Sequence, residues 1–133
     1  MEKGLITELK SRFDSMAHLD EESGIEFWYA RELQVALGYS EWRNFTKVIE
    51  KAKISCEIAT GLVPNHFVDV NKMVTLGSDS QRSIEDTKLT RYACYLIAQN
   101  GDPRKDEIAF AQSYFALQTR KQELIEDRIN LLR

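Results

Sequence analysis

The chain has 133 residues, 43% of them hydrophobic and 29% charged, with a formal net charge of −3 at pH 7. That is the length and balance of one ordinary globular domain, and no run approaches the roughly 18 apolar residues of a membrane span, so the expected compartment is the cytoplasm. The negative balance excludes a broadly basic polyanion binder and leaves room only for a local patch. The acidity is concentrated at the front, where residues 1–30 hold three basic and seven acidic side chains; residues 31–133 hold fifteen and fourteen.

In chain order, Leu5, Leu9, Phe13 and Met16 recur at helical spacing, which predicts an amphipathic helix over 1–18 that packs on the body or on another chain. An acidic break at Asp20, Glu21 and Glu22 leads to IEFWY (25–29), short, β-branched and aromatic, as a strand requires. A short helix spans 30–37 and ends at Gly38. Ser40 is the expected cap of the next helix, whose apolar stripe Trp42, Phe45, Ile49, Ala52, Cys56 and Ala59 steps by three and four until Gly61 and Pro64 close it.

Between His66 and Leu89 the period changes to two. Phe67, Val68 and Val70 suggest one short strand, Met73 to Leu76 another, and the turn-rich 77–80 a β-hairpin returning over 82–89. Thr90 then caps a helix that ends at Gly101, expected in the left-handed conformation. Asp102 is expected to cap a final long helix with Pro103 at its first position. Its apolar positions Ile108, Ala111 and Phe115 give way to Gln118 and Gln122, so its end, 121–133, is expected to project.

Three constellations carry candidate chemistry. In ARELQVALGYSEWRNFTKVIEKAK (30–53) a short helix, a glycine turn and a longer helix have the layout of a helix-turn-helix. Arg43, Lys47 and Lys51 recur every four residues there with Asn44 beside them, residue types suited to phosphates and base edges; Glu50 is expected to neutralise part of the row. These four are the candidate nucleic-acid contacts, and a plain solvated face is the competing reading. Arg91, in the first turn of its helix, calls for an internal carboxylate such as Asp86. The aromatics Tyr92, Tyr95, Phe110, Tyr114 and Phe115 are spaced as core, and Gln99, Asn100 and Gln112 suit the backbone groups of the helical corner.

Catalytic features are thin. His66 and Asp69 could pair, but no nucleophile accompanies them, and no phosphate-binding loop occurs. His18 and His66 lie near no ligand-spaced cysteines, so neither a metal nor a cofactor is expected. Cys56 and Cys94 read as buried thiols. A non-enzymatic protein follows.

The blocks ARELQVALGYSEWRNF, HFVDV, LTRYACYLIAQNGDP and AQSYFALQTRKQEL resemble the bacterial DNA-damage-inducible protein D family, whose front domain is similar to the BRO-type N-terminal domains of viral and phage regulators. The resemblance implies a part in the DNA-damage (SOS) response, with control of the RecA recombinase on single-stranded DNA, so the expected partners are a RecA-type recombinase, DNA, or both. A BRO/antirepressor-like DNA-binding regulator is the alternative. Family members are longer, so the chain is expected to be a fragment.

The expected architecture is a single α+β domain: a small antiparallel sheet packed on several helices, with a long C-terminal helix. Residues 1–24 form a leading helix and acidic linker, 25–120 the BRO-like domain, and 121–133 the projecting end. Leu124, Ile125, Ile129 and Leu132 there are candidate partner contacts, and the terminal helices could join copies of the chain.

Overall fold

In the computed structural model, which describes residues 3–77 and 79–117, the change of period becomes a four-stranded antiparallel sheet with helices packed against one face. The elements run α1 (Lys3–Met16), β1 (His18–Leu19), β2 (Glu26–Tyr29), α2 (Ala30–Ala36), α3 (Trp42–Thr60), α4 (Val63–His66), β3 (Phe67–Thr75), β4 (Gln81–Leu89) and α5 (Arg91–Gln99). A last helix, α6, occupies 106–117. The strand order is β1-β2-β4-β3. The predicted α+β domain is therefore the observed one.

The core joins the α3 stripe (Phe45, Ile49, Ala52, Cys56) to Ala93, Cys94, Ile97 and Ala98 of α5 and to Ile108, Ala111 and Phe115 of α6. From the sheet come Trp28, Phe67 and Leu89. Helix α1 docks on this body through Leu9 and Phe13, both buried. The Phe13 ring meets Phe110, Tyr114 and Phe115 at centroid distances of 5.5–5.7 Å, and its full burial is worth about 1.5–3 kcal/mol. Both cysteines are buried and free, as expected.

Several local readings are corrected. Helix α3 starts after Glu41, not after a Ser40 cap, and the Glu41 side chain makes no capping bond. Ala59 is exposed, because the helix has run past the body by then. The two short strands of 66–76 are one nine-residue strand, paired with β4 from Phe67–Leu89 to Thr75–Gln81; a fully paired partner overrides the weak β-propensity of Asn71 and Lys72. β1 and the one-turn α4, whose first turn contains Pro64, have no counterpart among the predicted elements.

The corner is built differently from its prediction. Asn100, at φ −89° and ψ 2°, ends α5, and the left-handed glycines are Gly24, Gly38 and Gly61, not Gly101. Gly101 is needed for space: a Cβ there would lie 2.8 Å from Cγ2 of Ile108 and 3.1 Å from its Cδ1. Asp102 and Pro103 form a turn, with Asp102 accepting from Arg104 N at 3.0 Å, and α6 begins only at 106. The amides serve as expected: Asn100 donates to Leu96 O at 2.8 Å and Gln112 to Ala98 O at 2.9 Å.

Candidate nucleic-acid interface

Helix α2, a turn with Gly38 at φ +83°, and the nineteen-residue α3 reproduce the expected helix-turn-helix order. α3 is long because its buried residues recur at helical spacing until Gly61, at φ +68°, ends it with its N–H on Glu57 O. Burying that stripe turns the opposite side outward. Arg43, Asn44, Lys47 and Lys51 are all exposed on that side. Asn44 Nδ2 makes a long contact of 3.4 Å with Glu41. Glu50, expected to offset the row, instead faces Lys53 at 3.5 Å, because its i+3 neighbour lies on its own flank of the helix. Among the described residues, Arg43, Lys47 and Lys51 form no ion pair. Further along the same side Ile54 and Ile58 are 63% and 83% exposed.

The flank of α3 carrying Thr46, Glu50 and Lys53 borders a groove of about 400 Å³ against the inner face of the β3–β4 hairpin. Asp69 and Glu85 line its far wall. Four carboxylates, Glu50, Asp69, Glu85 and Asp86, against the one ammonium of Lys53 make the groove repel phosphates, so any nucleic acid on α3 lies along the outward row.

Other predicted pairs resolve as follows. Arg91 is held by Glu26 on β2, not by Asp86. β2 begins beside the start of α5, which brings these two together, whereas Asp86 is already engaged: its Oδ2 lies 3.0 Å from Lys72 Nζ and its Oδ1 accepts from Arg31 N at 3.0 Å and Thr87 N at 2.8 Å. His66 does not meet Asp69. Its Nδ1 lies 2.7 Å from Thr90 Oγ1, burial lowers its pKa, and Asp69 accepts from Thr87 Oγ1 at 3.3 Å instead. Of the predicted core aromatics, Phe115 is fully buried and Tyr92, Tyr95, Phe110 and Tyr114 are partly buried against the core. Leu124, Ile125, Ile129 and Leu132 lie outside the described residues.

Sequence reasoning misses a second cluster. Phe27 and Tyr29 flank Trp28 in β2, so when Trp28 enters the core they project from the opposite face. There they pack with His18 of β1: His18 stacks on Phe27 at 5.4 Å, and Tyr29 makes T-shaped contacts with both rings at 4.9 and 5.2 Å. Lys72 lies over the Tyr29 ring at 3.3 Å and Lys88 over Phe27 at 4.7 Å. The alternation within IEFWY is the one signal of it in the sequence.

Residues 16–116 of this α+β domain match the model of one family, the BRO family, N-terminal domain. The chain belongs to that family. It is 50% identical over 105 residues to the DNA damage-inducible protein D of Escherichia coli strain K12, a match covering 79% of this chain and 38% of that protein. The chain thus spans well under half the length of this relative. No solved structure matches it. Among the described residues no helix is long and apolar enough to cross a membrane.

Proposed function

We propose that this chain is the BRO-type module of a non-enzymatic, cytoplasmic protein of the DNA-damage (SOS) response, and that it modulates a RecA-type recombinase on single-stranded DNA. The observation that carries this reading is the 50% identity, over 79% of the chain, to a protein named for its induction by DNA damage. The net charge of −3 supports it, since a weakly charged module is better suited to a protein–DNA filament than to bare duplex. Leu124, Ile125, Ile129 and Leu132 are assigned to contact with the recombinase or a second copy on their sequence pattern alone.

The test is recombinase-catalysed strand exchange and single-strand-dependent ATP hydrolysis, with and without the chain. A change in either rate at stoichiometric chain supports the reading, and unchanged rates of both overturn it.

One observation favours a second reading, a BRO/antirepressor-like DNA-binding regulator. Arg43, Lys47 and Lys51 stand exposed and, among the described residues, without ion pairs on the longer helix of a helix-turn-helix. Sequence-dependent binding of duplex DNA, abolished by substitutions in that row, would establish it.

A further inference from the structure

The hairpin segregates its charge by face. With the register running from Phe67–Leu89 to Thr75–Gln81, alternation places Lys72, Arg82 and Lys88 on the outer face. Their only carboxylate companion on the two strands is Asp86, which is buried beneath Lys72. The inner face of the same strands carries Asp69 and Glu85 and no cation. The outer face also holds the His18–Phe27–Tyr29 rings, and neither Phe27 nor Tyr29 belongs to the core or packs on it.

We propose that this outer sheet face is a binding site for single-stranded DNA, in which an unpaired base stacks on Phe27, with Tyr29 packed beside it, while Lys88 holds the adjoining phosphate and Arg82 one further along the strand. The inference rests on the reading that the module works on single-stranded DNA, and it names a surface distinct from α3. Planar rings beside mobile cations are the combination that binds single strands without reading sequence, because every base offers a flat π-face. Duplex DNA hides those faces.

The two lysines have different parts. Lys72 is fixed by Asp86 at 3.0 Å and supplies a stationary positive charge over Tyr29. Lys88 has no carboxylate partner among the described residues, and its flexible stem lets the ammonium leave the Phe27 ring as a base takes its place. His18 is held at the edge of the cluster by Glu32, 2.8 Å from its Nε2. That carboxylate keeps the strand's phosphates to the hairpin side of the rings.

The test compares three fluorescent probes in salt-titrated anisotropy with the full chain: oligo-dT, an abasic oligodeoxynucleotide of equal length, and a duplex. We expect oligo-dT to bind about tenfold or more tightly than the abasic strand or the duplex. Phe27→Leu with Tyr29→Leu should bring oligo-dT down to the abasic level. Lys88→Gln with Arg82→Gln, both partly or wholly exposed and so safe for folding, should weaken both single strands and flatten the salt slope by about 0.7 for each phosphate no longer neutralised. Equal binding of oligo-dT and the abasic strand overturns the proposal, as does an unchanged affinity of the lysine–arginine variant, an oligo-U strand bound tenfold more tightly than oligo-dT, or no binding by the parent. Recombinase rates measured on the same variants separate this failure from that of the broader reading. A parent that alters those rates but binds no free strand refutes the site alone.

Discussion

Asp86 caps helix α2 from another strand: its Oδ1 accepts the backbone N–H of Arg31, fifty-five residues earlier in the chain, at 3.0 Å. α2 has no capping side chain of its own, since Tyr29 occupies that position. A carboxylate at a helix N-terminus satisfies an otherwise unpaired donor and meets the positive end of the helix dipole. The same carboxylate accepts from Thr87 N and faces Lys72, so one buried anion ties β4, α2 and β3 together.

Asp86→Ala should therefore destabilise the domain by about 2 kcal/mol or more, because two backbone donors and an ammonium lose their acceptor. Asp86→Asn keeps one acceptor oxygen and should cost less. Urea unfolding of both variants measures the difference, and equal midpoints for Asp86→Ala and the parent would contradict the account.

Gly101→Ala should cost about 1–3 kcal/mol through overpacking against Ile108. The backbone there is not left-handed, so the penalty depends on that neighbour. In an Ile108→Ala background the same substitution should cost markedly less, and a double-mutant cycle by thermal unfolding reads the coupling. Strict additivity would show that the space at Gly101 is not the constraint.

The Tyr114 hydroxyl donates to Asp14 and, with the Lys10 ammonium, lowers that carboxyl's pKa below its usual 3.8. A lowered folded pKa adds stability that is present above 3.8 and is lost as pH falls through the folded value. Tyr114→Phe should thus be less stable than the parent at pH 7, by under about 1 kcal/mol because Asp14 is largely solvated. The gap should narrow as the pH is taken below 3.8, as followed by denaturant midpoints from pH 7 to pH 2. An NMR titration should find the Asp14 pKa higher in the variant.

Replacing Arg43, Lys47 and Lys51 together by Ala should leave the folding stability within about 1 kcal/mol of the parent's, since all three are exposed and make no ion pair among the described residues. If α3 meets DNA, the log–log salt slope of duplex binding should fall by up to about 0.9 for each phosphate that the variant leaves unneutralised. An unchanged slope leaves the row as a solvated face.

The helices α3 and α5 and the existence of the hairpin are legible in the sequence because each carries a local signal: the Phe45–Cys56 stripe, the Thr90 cap, the turn residues 77–80. What stays hidden depends on residues distant in sequence. Arg91 finds Glu26 because β2 and α5 begin side by side, a proximity no local pattern records. Gly101 has the sequence context of a left-handed cap, yet the approach of Ile108 decides why it must be glycine. The candidate row on α3 is visible from its four-residue spacing, whereas the ring cluster draws on β1, β2, β3 and β4 and exists only once the sheet is paired.

β2 pairs with β4 only at Trp28–Leu89 and Tyr29–Lys88, so most of the nine paired rows of the β3–β4 ribbon have no third strand beside them. The protein is thus a stiff body carrying a lever. Amide protons at the root of the lever, near Leu89, share the protection of the core, while those toward Thr75 and Gln81 open without disturbing it. Load applied to the far end, by a passing strand or a partner's grip, would be absorbed as bending there before it reached the helices.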